Sequence, residues 1–466
     1  MRYPTKLLAS FMIAGLMPLA LAAQAQQTTP DEPPQPSVQL QKPTGPAEPP
    51  ITVTLADAIA RARKVDAQYL SAQRDARNAH DDTLQARNAM LPQASATSQF
   101  LGAQGNGGRT NIGRFVTQDG VHVYRAWGVF TQNLSPTTYL GTGYHQAQAA
   151  EALAKAKAEI AQRGLTVTVT KAYYSLAEAQ RNYAAQQAAL EQARHFLKIT
   201  QDAENNGLAA HADVLKAQVS AEQQQQAFDD SQLAMENARL DLAVLLFPTL
   251  NENFTVVDDM DTAADLPSFT EMQDMAGKNN PDLRVAMETM RQADIAVTAA
   301  KGAFLPSFSV ETDYGIEANQ FALHSVNVEE RAAGVLPNLG YFITAGVTIP
   351  VWDWGTLRSK LRQSENNREQ ARVELSQAQR TELANLDSVY NEAAVSRAAL
   401  DSSRHAADDA SESLRLTQLR YQAGESTAQE VVDAQTTATQ AQTAFDAAQV
   451  RYRVALATLQ TITGPF

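Results

Sequence analysis

Two kinds of hydrophobic pattern run along this chain, and each occurs twice. From Ser307 to Ile316 the chain alternates: Phe308, Val310, Tyr314 and Ile316 fall on one face and Ser307, Ser309, Glu311 and Asp313 on the other. Tyr341 to Val351 repeats the alternation, with Tyr341, Ile343, Ala345, Val347, Ile349 and Val351 on one face. Period two predicts strands with one apolar and one polar face. Weaker versions at about 93–104 and 122–133, joined by a glycine-rich loop, predict a second pair. Strands of this length, about 9–11 residues, cross a membrane when tilted. Trp352 and Trp354, just past the last strand, suit an aromatic girdle.

The other pattern is helical. Between Thr356 and Ala423 there are 68 residues with neither glycine nor proline, which as one helix would run roughly 100 Å. Glu425 to Thr463 adds 39 more, so Gly424 is the turn of a helical hairpin. The first half does the same, with Gly143 or Tyr144 to Asn206 as the long arm, Gly207 as the turn and Leu208 to Phe247 as the return. Gly164 and the run Thr166 to Thr170 weaken that arm locally, but its flanks predict helix throughout.

The two halves are copies. Leu91-Pro92 returns as Leu305-Pro306, Leu55 corresponds to Phe269 and Asp57 to Glu271. Gly207 to Gln218 returns as Gly424 to Gln435, keeping the glycine, an acid six positions on, the following valine and the Ala-Gln. The unit is helix, strand, strand, long helix, helix, and its length marks a duplicated half-domain, far beyond the period of a solenoid. The organisation predicted is a secretory signal over 1–25, a Pro-rich linker over 26–50, a first repeat over 51–250 and a second over 251–466.

Composition narrows the function classes. Hydrophobic residues make up 44% and aromatics 7%, with a mean hydropathy of −0.32, the profile of long Ala/Gln/Glu-rich helices. The net charge of −13 comes with no basic stripe, so nucleic acid is not an expected partner. Arg2 and Lys6, the apolar run Leu7 to Leu21 and Ala23-Gln24-Ala25 read as a cleaved secretory signal. There is no cysteine, which removes thiol chemistry, disulfides and a lipoprotein acylation site.

Four strands leave two open sheet edges, which lipid does not tolerate. Copies of the chain must therefore close a barrel; three copies give twelve strands and room for an aqueous bore. The charged hairpins cannot enter the bilayer and project beneath it as a tunnel. The expected fold is mainly α with a membrane β-barrel portion: helical hairpins forming a trimeric α-barrel, and four strands per protomer entering a 12-stranded outer-membrane barrel. The competing reading is an exported coiled-coil scaffold whose strands form a small soluble cap.

Over Thr52 to Gly464 the chain resembles the TolC-like outer-membrane efflux proteins. The marks are the duplication, Pro350-Val351-Trp352-Asp353-Trp354-Gly355, and Arg420-Tyr421-Gln422-Ala423-Gly424 followed by Val431-Val432-Asp433-Ala434-Gln435. The resemblance implies a homotrimeric outer-membrane channel-tunnel that docks onto a periplasmic adaptor protein and an inner-membrane pump. It also implies that Asp213, Tyr421, Glu430 and Asp433 belong to a periplasmic gate and that Gly207, Leu208, Gly424 and Glu425 form adaptor-docking tips. A family arginine two residues after the turn glycine is Ser426 here. Independently of the resemblance, Asp213 and Glu430 sit where acids offset a helix dipole, and the glycines where a turn needs them.

No catalytic apparatus, cofactor site or metal site is expected. His80-Asp81-Asp82 and His405 lack a converging ligand, and Gly105-Asn106-Gly107-Gly108 does not lead a strand into a helix.

Overall fold

A computed structural model describes residues 50–102, 122–207, 209–250, 253–261, 265–318, 321–326 and 334–465. The signal segment, nearly all of the Pro-rich linker, Leu208 and the 105–108 glycine loop lie outside these residues.

Each repeat opens with a short strand and two helices, where one helix was expected. β1 (Ile51–Val53) leads to α1 (Leu55–Val65) and α2 (Ala67–Asn88); β4 (Phe254–Val256) leads to α6 (Phe269–Asn279) and α7 (Pro281–Gly302). The break comes from one extended residue that ends the first helix and caps the second. Asp66 (φ −64°, ψ 118°) accepts from Tyr69 N at 2.6 Å. Asn280 accepts from Asp282 N and Leu283 N, and Pro281 disfavours helical backbone at the residue before it. Thr54 with Asp57 and Ser268 with Glu271 form matching capping boxes.

The membrane-length strands are β2 (Gln93–Gly102), β3 (His122–Leu134), β5 (Ser307–Ala318) and β8 (Leu339–Thr348), forming one antiparallel sheet in the order β2-β3-β5-β8. The last strand begins two residues before Tyr341 and ends three before Val351, because Pro350 cannot donate to a ladder. β6 (His324–Val326) and β7 (Val335–Pro337) form a small hairpin in the β5–β8 connection. The register sorts the faces: the rows Ala126/Ile316/Leu339, Gly128/Tyr314/Tyr341 and Leu134/Phe308/Val347 share one side. Gln99/Arg125/Glu317 and Thr131/Glu311/Thr344 share the other. On that polar face Arg125 pairs with Glu317 at 2.8 Å and donates to Gln99 at 3.2 Å.

After β3, the one-turn helix α3 (Pro136–Tyr139) leads into α4 (Thr142–Asn205), which returns as α5 (His211–Leu246); after β8 come α8 (Thr356–Gln422) and α9 (Ala428–Thr463). Gly141 and Gly355, at φ 64° and 83°, start the two long arms. α4 runs unbroken through Gly164, and Thr166, Thr168 and Thr170 turn their hydroxyls back to the carbonyls of Gln162, Gly164 and Thr166. The hairpins lie side by side in the order α5-α4-α9-α8, so α5 and α8 each keep an open flank. Leu215, Val219, Leu240 and Val244 are exposed on α5, and Val373, Leu383, Val395 and Leu416 on α8.

Half-way along the hairpins, β1 and β4 pair in parallel and are clamped to α4 by Tyr173. Val53, Tyr173, Tyr174, Leu176, Leu242, Leu246 and Met260 make the largest buried cluster; each buried aliphatic there contributes about 1.5–3 kcal/mol. Met272, Leu386, Leu459 and Ile462 make its counterpart in the second repeat.

Candidate functional site

The distal ends of the hairpins carry the residues singled out by sequence, apart from Leu208, which lies outside the described residues. The chain leaves α4 through Asn206, whose amide donates to Asp202 O at 2.7 Å, and Gly207 at φ 74°. It leaves α8 through Gly424 at φ 77°, with Glu425 N bonded back to Arg420 O at 2.9 Å. Left-handed backbone of this kind favours glycine. Gly424 and Glu425 are exposed, and Arg420 Nη2 donates to the carbonyl of Glu425 at 3.2 Å.

Glu430 stands in the first turn of α9. Its amide is capped by the Thr427 hydroxyl at 3.3 Å, and its carboxylate accepts from Ser426 Oγ at 2.8 Å and Thr427 Oγ1 at 3.2 Å. The Ser426 hydroxyl, helped by Thr427 and Arg420, holds the carboxyl below its ordinary range. Arg420 lies 4.0 Å away, so the cation near Glu430 comes from the end of α8. Thr427 is thus the residue that caps this helix, and Glu430 stands in its first turn with the side chain exposed. Asp433, one turn on and also exposed, accepts from Gln429 at 2.8 Å. Asp213 occupies the matching first turn of α5, half-buried.

Tyr421 does not meet Asp213 within the protomer: among the described residues no hydrogen bond joins them. Its ring packs edge-on against Phe196 of α4 at 5.0 Å. Phe196, Ala217, Ala428 and Val431 form a small core that fastens the two hairpins together at the tip. A groove of about 200 Å³ beside it is lined by His195, Phe196, Gln418, Tyr421, Val431 and Gln435. Phe196 escaped sequence reading because nothing local distinguishes it; only the packing of α4 on α9 gives it a role.

His80 pairs with Glu151 across α2 and α4 at 2.9 Å, and no group of three potential metal ligands occurs among the described residues. No helix among them is long and apolar enough to cross a membrane.

Residues 134–246 and 273–465 match the family model described as outer membrane efflux protein. The chain belongs to that family. Members are outer-membrane channels extending through the periplasm, homotrimeric, and working with an adaptor and an inner-membrane pump, and this chain is the outer-membrane component of such an export system. No curated protein matches it in sequence. Its fold is similar to that of the Campylobacter jejuni CmeC outer membrane channel at 18% identity and a TM-score of 0.71, covering 88% of this chain and 85% of that one. The open-state Neisseria gonorrhoeae MtrE outer membrane channel gives 20% identity and 0.68, covering 88% of each chain. The outer membrane protein VceC of Vibrio cholerae gives 16% and 0.70, covering 88% and 96%.

Proposed function

We propose that this channel is gated by its own acids at the tip and docks its adaptor through the hairpin turns. Three protomers set Glu430 and Asp433 as two stacked carboxylate rings at the distal end of the tunnel, which favour cations. Asp213 and Tyr421 tie neighbouring helices when the tunnel is shut. The observation that carries this reading is the state of Glu430: an exposed carboxylate kept ionised by Ser426 and Thr427 at the helix mouth. Gly207-Leu208 and Gly424-Glu425 are the adaptor-docking tips.

The open edges β2 and β8 favour closure with neighbouring copies into twelve strands. Residues 1–25 act as a cleaved signal and 26–50 as a linker before two repeats at 51–250 and 251–466. The protein acts as a passive duct with no reaction of its own. Single-channel recording in planar bilayers tests the gate: alanine at Glu430 and Asp433 is expected to abolish cation preference. Unchanged selectivity in an intact trimer would reduce both acids to helix caps.

A further inference from the structure

The duplication makes one contact inside the protomer whose twin is missing. After β3, the turn Ser135–Gly141 seats on the end of α7: Tyr139 Oη donates to Pro306 O at 3.0 Å. Leu140 covers Gly302 so closely that its Cδ1 would lie 2.7 Å from a β-carbon added there. Gly302 is buried beneath it. Shifting every partner by the repeat offset gives the equivalent pieces. Pro136, Leu140 and Gly141 become Pro350, Trp354 and Gly355, while Gly302 and Pro306 become Asn88 and Pro92. These sit at opposite sides of the protomer, since β8 and β2 are the two edges of the sheet. Trp354 and Trp352 are 89% and 76% exposed and Leu91 58%.

The helices repeat the asymmetry. α4 packs against both α2 and α7, whereas its twin α8 packs against α7 and leaves its other side open. At the filled junction Glu159 of α4 pairs with Arg284 of α7 at 2.8 Å. The offset carries that pair to Val373 and Leu70, two apolar residues, Val373 being 55% exposed. An ion pair replaced on both sides by apolar groups is complementary in its own way.

Local geometry leaves this turn strained and uncovered within one protomer. Trp354 has φ 57°, where Leu140 has φ −81°. Asp353 pins the bend, accepting from Gly355 N at 3.0 Å and Leu357 N at 2.6 Å, and the two indoles stack edge-on at 5.5 Å. Left-handed backbone at a bulky residue persists where surroundings over-determine it, and within one protomer this tryptophan is surrounded mainly by solvent.

We propose that the Trp352–Trp354 turn of each protomer seats on the α2–β2 corner, Asn88 to Pro92, of the next copy. The pair is thus an inter-subunit clasp at the barrel–tunnel junction and does not belong to an aromatic belt in lipid. The assignment rests on the trimeric reading.

The full chain lacks cysteine, so the double variant Asn88→Cys/Trp354→Cys reports without background. Treated in detergent with a short bismaleimide, it is expected to run as covalent dimers and trimers, while either single variant stays monomeric. Glutaraldehyde on the same sample separates the two readings: trimers with glutaraldehyde but none with bismaleimide overturn the clasp, and monomers with both overturn the trimer beneath it. A second measurement spares the tryptophans. In Trp127→Phe protein reconstituted into phosphatidylcholine vesicles with brominated acyl chains, Trp352 and Trp354 should lose less than about a fifth of their emission. Quenching of more than half would place them in lipid and overturn the proposal.

Discussion

Tyr173 and Val257 are joined twice: the tyrosine hydroxyl donates to the valine carbonyl at 2.7 Å and accepts from its amide at 3.0 Å. The same oxygen lies 3.2 Å from Val53 O, so one side chain of α4 holds both strands of the small parallel sheet. Burial pushes the phenol up from its ordinary value to about 12. Tyr173→Phe would take the donor from the Val257 carbonyl, while the Val257 amide keeps its bond to Val53 O at 3.2 Å; the cost of about 1–3 kcal/mol is read as a lower melting temperature of the detergent-solubilised trimer. Because the folded-state pKa is raised, this contribution is complete below pH 10 and is lost between about 10 and 12. The phenylalanine variant should lack that alkaline step, and an unchanged step would assign it elsewhere.

Arg181 supports a second belt. It reaches Gln449 at 2.9 Å, Asp258 at 2.9 Å, Asp261 at 3.2 Å and Asp446 at 3.4 Å. Asp446 is 2% exposed and burial pushes its carboxyl up, opposed by the Gln442 amide and by this arginine, which supplies the countercharge. Arg181→Met should destabilise by roughly 3–5 kcal/mol at pH 7. A raised carboxyl pKa penalises the ionised form, so acidification toward pH 4 should shrink the deficit. Melts at the two pH values giving equal losses would contradict this account.

In the barrel wall, Gly315 faces Trp127 on one neighbouring strand and Gly340 on the other. A β-carbon at Gly315 would fall 2.0 Å from the carbonyl oxygen of Ala126, and backbone cannot yield as a flexible side chain does. Gly315→Ala should force β3 from β5 and reduce the yield of heat-modifiable trimers in outer-membrane extracts. Normal yield would show that the strands can separate there.

For the gate, Ser426→Ala removes the donor that chiefly holds the Glu430 carboxyl low. Cation preference should then vanish at a higher pH on acid titration than in the parent channel. Coincident titration curves would detach Glu430 from selectivity.

At the docking tip, Glu425→Arg places opposite charge on an exposed side chain without disturbing the left-handed glycine before it. Export should fail while trimers persist. Undiminished export would remove this turn from the adaptor contact.

Much of this architecture is legible in the chain because it is periodic. The alternation around Phe308 and Tyr341, and the glycine-free run after Thr356, name strands and arms almost to the residue. What escapes is short or distant. β1 and β4 are three residues each and exist because they pair with one another across about two hundred positions. Arg181 finds acids at 258, 261 and 446 that no local spacing connects to it. Asp66 and Asn280 break helices through side-chain bonds that the surrounding apolar period conceals. At the tip, Glu430 and Gly424 can be located from the repeat, whereas Phe196, which fastens Tyr421, is one apolar residue among many.

The even strand number has a consequence for how the protein reaches its place. Each chain enters the sheet at Gln93, leaves it at Leu134, re-enters at Ser307 and leaves again at Thr348, so both strand pairs begin and end on the same side. Only the β2–β3 and β5–β8 connections must travel through the bilayer during biogenesis. The long arms, with all their charge, stay in the compartment where they were delivered, and only the two short segments that join the paired strands have to be carried across.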